Sequence, residues 1–218
     1  MTLRPLFASL LLLAAPLAAS AQETAPSTQI YKDGNIEVSQ LSDFEAGTRM
    51  YDAGNIDMAV KLFKQGAEKK DPQSSFALGT HYFFGEGVEK DFAKAKELFE
   101  FAGEHGSMES LFFLSLMYDK GDGVAADPAK SFDYALRASR GCVAPAQSWL
   151  AGLYIEGKGV AKDMVEAMAW MTIAADQDEE ARSLLPAMSG TLDEAQAARV
   201  EGRVKALRAA LACPAPAK

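Results

Sequence analysis

Histidine, cysteine and positive charge are all scarce in this chain of 218 residues, which has two histidines, two cysteines, and 22 basic against 30 acidic side chains for a formal net charge of −8. The shortage of basic residues argues against a protein that wraps nucleic-acid phosphates. His81 and His105 have no cysteine or carboxylate partners at zinc-ligand spacing, so no metal site is expected. Neither Cys142 nor Cys213 stands in a C-x-x-C context, which argues against a thiol oxidoreductase. G-x-S-x-G, S-x-x-K and H-E-x-x-H are also missing, so the expectation is no enzyme, no catalytic residues and no cofactor. What is present, 49% hydrophobic and 24% charged residues, excludes a disordered tail or a collagen-like fibre.

The one long uncharged apolar run is at the start. Residues 1–21 carry a single basic residue, Arg4, then a Leu- and Ala-rich stretch closing on Ala19-Ser20-Ala21. That pattern reads as a secretory signal cut before Gln22, with an uncleaved anchor as the competing reading. No later segment approaches a spanning length, so the mature chain is expected outside the cytoplasm, periplasmic or secreted, with no membrane span after cleavage. In an oxidising compartment Cys142 and Cys213 are expected to form one disulfide, with free thiols or an intermolecular bridge as alternatives.

Self-comparison supplies the organising feature. The segments beginning at Ala77, Phe113 and Trp149 align without gaps, placing Tyr82, Tyr118 and Tyr154 at intervals of 36 residues. Two glycine columns recur in the same register, Gly85, Gly121 and Gly157 first, then Gly87, Gly123 and Gly159. So do Val88, Val124 and Val160, followed by Asp91, Asp127 and Asp163. A divergent copy with Tyr51, Gly54, Ala59, Phe63 and Ala67 precedes them, with a shorter turn that lacks G-x-G-V.

Each copy reads as a helix pair. Apolar and small residues before the tyrosine give a first helix one buried face. The first glycine ends that helix in the left-handed region, the second lets the chain reverse, and the valine turns inward. The aspartate caps the second helix, and Pro128 follows Asp127 at a position where a missing N–H costs nothing. Glu166, three residues after Asp163, suggests a capping box. The G-x-G runs are turns between helices and not phosphate loops, which would follow a strand. His105, near the end of a second helix, is expected to interact with that terminus, and His81 to be packed or at a rim.

The pattern of Leu, Tyr, G-x-G-V and Asp repeating every 36 residues resembles the Sel1-like repeat (SLR) family, relatives of the tetratricopeptide repeat. The resemblance implies an all-α fold: a right-handed α-solenoid of stacked helix–turn–helix repeats whose first helices line a concave surface that holds other proteins. The organisation read from the sequence is a signal peptide (1–21), an extended lead-in (22–42), a divergent tetratricopeptide-like repeat (43–71), three SLR repeats (72–107, 108–142 and 143–178), capping helices (179–212) and a tail (213–218). Thr191 to Glu194 reads as the start of the last capping helix, with Val200, Val204, Leu207 and Leu211 as its apolar stripe.

Counting from each tyrosine, positions −6, −2 and +2 are expected on the concave side. These positions are Phe76, Thr80 and Phe84, then Phe112, Leu116 and Lys120, then Ser148, Gly152 and Glu156; Phe76, Thr80, Phe84, Phe112, Leu116 and Ser148 are taken as candidate partner contacts, against the alternative that they pack on neighbouring helices. The functional expectation is a non-catalytic interaction scaffold for an unidentified protein partner, regulating signalling or envelope assembly. The alternative, carried by resemblance to cysteine-rich secreted members of the family, is β-lactam binding or peptidoglycan activity on the same fold. The paired cysteines those members carry in each repeat are missing here.

Overall fold

The computed structural model describes residues 41–211 and Cys213. The signal reading at 1–21 and nearly all of the lead-in lie outside the described residues. Ten helices occur among the described residues, with no strand. In chain order they are α1 (Asp43–Asp52), α2 (Ile56–Glu68), α3 (Pro72–Phe84), α4 (Phe92–Glu104), α5 (Met108–Lys120), α6 (Pro128–Arg140), α7 (Ala144–Glu156), α8 (Met164–Ala174), α9 (Glu179–Ser189) and α10 (Glu194–Ala210). The chain forms two compact units divided between Ser107 and Met108. In the first, α1 pairs with α2 and α3 with α4, and α3 also packs on α2. In the second, α5 pairs with α6 and α7 with α8, and α7 also packs on α6.

The 36-residue register is visible in the backbone of the turns. Gly85, Gly121 and Gly157 follow directly on α3, α5 and α7 at φ +74°, +79° and +72°, a region open to glycine at little cost. Their N–H groups donate to the carbonyls of His81, Met117 and Leu153 at 2.8, 2.8 and 2.9 Å, completing the last turn of each helix. Further on, the N–H of Asp91, Asp127 and Asp163 donates to the carbonyl of Tyr82, Tyr118 and Tyr154 at 3.0, 2.8 and 3.1 Å, closing the same turn three times. The carboxylates of these aspartates then accept from Lys94 N–H, Lys130 N–H, and both Val165 and Glu166 N–H. They thereby satisfy donors that the first helical turn leaves open. Asp163 caps alone: the Glu166 carboxylate reaches Arg203 at 2.6 Å instead of folding back to complete a box. The start of α10 also differs from the sequence reading. Its N-cap is Asp193, in a capping box with Gln196, while the Thr191 hydroxyl donates to the Met188 carbonyl.

Second-position glycines of the G-x-G turns do more than reverse the chain. A Cβ on Gly159 would overlap the carbonyl oxygen of Pro128, at the start of the preceding repeat's second helix, and one on Gly87 would come within 2.6 Å of Ile56 Cγ2. Both also sit at positive φ, +73° and +68°. The residue between the glycines reaches back as well. Lys158 pairs with Asp119 at 2.5 Å, and Glu86 accepts from the Tyr51 hydroxyl at 3.3 Å. Turn and preceding repeat are thus joined by close backbone approach and by a polar contact.

Inside the pairs, volumes are matched across the helix–helix contact. Gly79 faces Phe99, whose Cε1 would lie 2.7 Å from any added Cβ, and Gly47 faces Phe63 in the same way. One repeat later the corresponding residues are Ser115 and Ala135. There the Ser115 hydroxyl donates to the Ser131 carbonyl at 2.8 Å and accepts from Trp149 Nε1 at 3.0 Å, a buried polar knot joining α5, α6 and α7.

Gly159→Ala should destabilise the protein by about 2 kcal/mol or more, combining positive-φ strain with an overlap against backbone that cannot rotate away. Thermal or urea unfolding measures it, with Gly152→Ala as the control, since nothing lies within 4 Å of a Cβ there.

Candidate interaction surface

The sequence-derived partner-binding set is mostly interior. Phe76 and Phe112 are each 4% exposed, Thr80 4% and Leu116 6%, so these four do not form an open face. The expectation assumed one buried stripe per first helix. Instead α3 is enclosed by α1, α2 and α4, and the Phe76 ring lies 6.2 Å from that of Phe99 on its own second helix. Thr80 donates its hydroxyl to the Ala77 carbonyl at 2.6 Å. Along α5 every residue from Ser110 to Tyr118 is buried, including the neighbours Phe112 and Phe113, whose rings are 5.9 Å apart; successive buried residues require more than one covered face. Phe84 and Ser148 are half-buried. The large apolar side chains most open to solvent among the described residues are Ile155 on α7, at 38%, and Leu184 on α9, at 46%.

Cys142 and Cys213 are joined by a disulfide with Cα atoms 5.3 Å apart. Cys142 adopts φ +65°, as Lys70 and Gly106 do at the equivalent turns, at +64° and +98°. The bridge ties the turn between α6 and α7 to the residues after α10, and Gln147 Nε2 donates to the Ser139 carbonyl beside it.

The second unit ends differently from the interior of the array. In register, α9 and α10 occupy the places of a fifth helix pair, but α10 packs against α8. Val200, Val204 and Leu207 bury their side chains in the cluster that holds Leu150, Trp170 and Met171. Two ion pairs fix the helix, Arg203 to Glu166 at 2.6 Å and Arg208 to Asp176 at 2.9 Å. The first replaces a repeating feature. Lys94 lies over the Tyr82 ring at 5.2 Å and Lys130 over the Tyr118 ring at 5.1 Å, whereas the third member of that column is Glu166. Burial, followed by the Glu166 charge, raises the Tyr154 hydroxyl above the usual tyrosine value, with Arg203 opposing the shift.

Tyr51 is likewise pushed up by burial and by Glu86, while burial lowers His81 below the ordinary histidine value. His105 caps the end of α4, its Nδ1–H donating to the Phe101 carbonyl at 2.7 Å with its ring against Phe101. Among the described residues there is no cluster of His, Cys, Asp or Glu that could hold a metal ion, and no helix long and apolar enough to cross a membrane.

A family profile described as Sel1 repeat matches residues 44–71, 72–107, 109–141 and 144–179. The chain belongs to the Sel1 repeat family. Two solved Sel1-type structures are similar. A Sel1 repeat protein from Oxalobacter formigenes aligns with TM-score 0.62 and 26% identity over 67% of this chain and 59% of its own. The protective antigen c5321 of uropathogenic Escherichia coli, which displays an SLR fold, aligns with TM-score 0.60 and 24% identity over 75% of this chain and 37% of its own. This chain therefore spans less than two thirds of either protein's length. No curated protein matches it. Sel1 repeats generally mediate protein–protein interaction and are typically non-catalytic, and the β-lactam or peptidoglycan alternative finds no support in these similarities.

Charge reversal at the Sel1 array's end makes a direct test. Glu166→Lys restores the residue type of the sister repeats but sets it against Arg203, and should loosen α10, costing about 1 kcal/mol because the pair is partly exposed. Adding Arg203→Glu should recover most of that loss. Hydrogen exchange along α10 and unfolding midpoints report both steps; equal stability of all three proteins would remove the pair from the docking.

Proposed function

We propose that this Sel1 repeat protein is an exported, non-catalytic scaffold that holds a protein partner on its helical surfaces outside the cytoplasm, in signalling or envelope assembly. The observation that carries the reading is the engagement of the recurrent polar residues. Between residues 44 and 179 the repeat matches leave little chain unassigned, and the repeated aspartates and G-x-G turns are engaged in caps, turn closures and contacts with the preceding repeat.

Two features support export. The first 21 residues have the composition of a cleavable secretory signal. The chain's two cysteines are bonded to each other, a state that persists in oxidising compartments. The acidic excess favours a partner with a basic patch, so binding should weaken as salt shortens the screening length.

Osmotic-shock fractionation should place the mature protein outside the cytoplasm with Gln22 at its N-terminus; retention in the cytoplasm with Met1 intact would overturn export. The immobilised mature protein should retain a discrete protein from envelope extract, lose it as salt rises toward about 0.5 M, and fail to retain it after heat unfolding. Retention of the same proteins by the unfolded chain would overturn the scaffold reading.

A further inference from the structure

His81 stands in a column that is otherwise apolar. Its counterparts one and two repeats on are Met117 and Leu153, and all three are interior, at 0%, 0% and 2% exposure. The imidazole sits where α1 and α2 meet α3. The Tyr51 ring of α1 approaches edge-on with centroids 5.7 Å apart, and the Phe63 ring of α2 lies at 5.6 Å. Nδ1 is 2.8 Å from the Glu86 carbonyl oxygen. A carbonyl can only accept, so Nδ1 carries the proton in the neutral ring, and acid must act at Nε2, itself buried.

We propose that His81 is an acid-sensitive latch between the first helix pair, α1–α2, and α3: protonation at Nε2 places a charge in this aromatic junction and releases α1–α2. Among the described residues, the titratable and charged groups facing the ring include the Tyr51 phenol from α1 and the Glu86 carboxylate from the turn after α3, while α2 presents Phe63. Glu86 favours the charged ring, but its carboxylate already accepts from Tyr51, and burial outweighs it, leaving the His81 value below the ordinary 6.5. The sign follows from the linkage of folding to protonation. With the folded value depressed, stability is full above the unfolded value and is lost as pH falls below it toward the folded one. Release would uncover the Ala77 and Leu78 side chains that α1 and α2 cover with Phe44, Val60 and Phe63. This inference goes beyond the scaffold reading and does not depend on it.

Amide hydrogen exchange on the mature protein between pH 7.5 and 5, corrected for the intrinsic pH dependence of exchange, tests the latch, with His81→Met and His81→Leu as the sister-repeat variants. In the wild type, protection in α1 and α2 should fall on acidification by up to about tenfold per unit of depression, while α6 and α8 hold. The variants should lose that selective response. An NMR titration of the wild type gives an answer that needs no variant at position 81. The chain has only two histidines, and His105→Gln assigns the resonances. An acid response equal in wild type and variants, or a His81 midpoint at or above 6.5, would overturn the proposal.

Discussion

Contact of a G-x-G turn with the preceding helix pair of its own unit governs how the repeats sit within that unit. At Gly159 and Gly87 the turn comes so close to Pro128 and Ile56 that a single methyl group cannot be placed. The same turn is closed from within by the aspartate N–H on the tyrosine carbonyl and anchored outward by Lys158 on Asp119 or Glu86 on Tyr51. One short segment thus sets the angle within a pair and the distance between pairs. The recurring residues of the repeat are those this segment cannot do without, which is why they recur while the rest of each helix varies.

The C-terminal end shows how such an array stops. The second helices of the two preceding repeats, α4 and α6, bury one narrow stripe each, Ala95, Phe99, Ala102 and Gly103 in the first and Ser131, Ala135, Ala138 and Ser139 in the second. The last, α8, buries residues nearly all round, among them Val165, Met168, Trp170, Met171 and Ile173. A helix apolar on all sides must be covered on all sides, and α10 supplies the missing wall. Reversal of a lysine column to Glu166 creates a docking point for Arg203, and the disulfide from Cys142 holds the far end. The end of the array is therefore distinguished by apolar area, charge and a covalent link together.

Much of this is legible in the sequence. The 36-residue period, the turn glycines and the capping aspartates follow from backbone chemistry that acts over a few residues. The added apolar character of α8 is also in the sequence: Met168 and Ile173 stand in columns where one sister repeat carries Lys96 and another Arg137. The partner-binding set was misplaced because the helical wheel reports angles around one axis and not how many neighbours surround it. Phe76 and Leu116 lie where the wheel put them, yet other packed elements cover them. Glu166 and Thr191 were misread for a related reason: local spacing offered each a capping role, but Arg203 for one and the entry path of α10 for the other decided otherwise.

The sequence by itself determined the all-α repeat class, the helix boundaries set by Gly and Asp, and the family, because each depends on short-range sterics and hydrogen bonding that recur with every copy. Tertiary structure alone decided which helix faces remain open, that His81 is enclosed by Tyr51 and Phe63, and that α10 packs on α8 instead of extending the array. Those outcomes depend on pairs of residues distant in sequence, whose proximity no local pattern encodes.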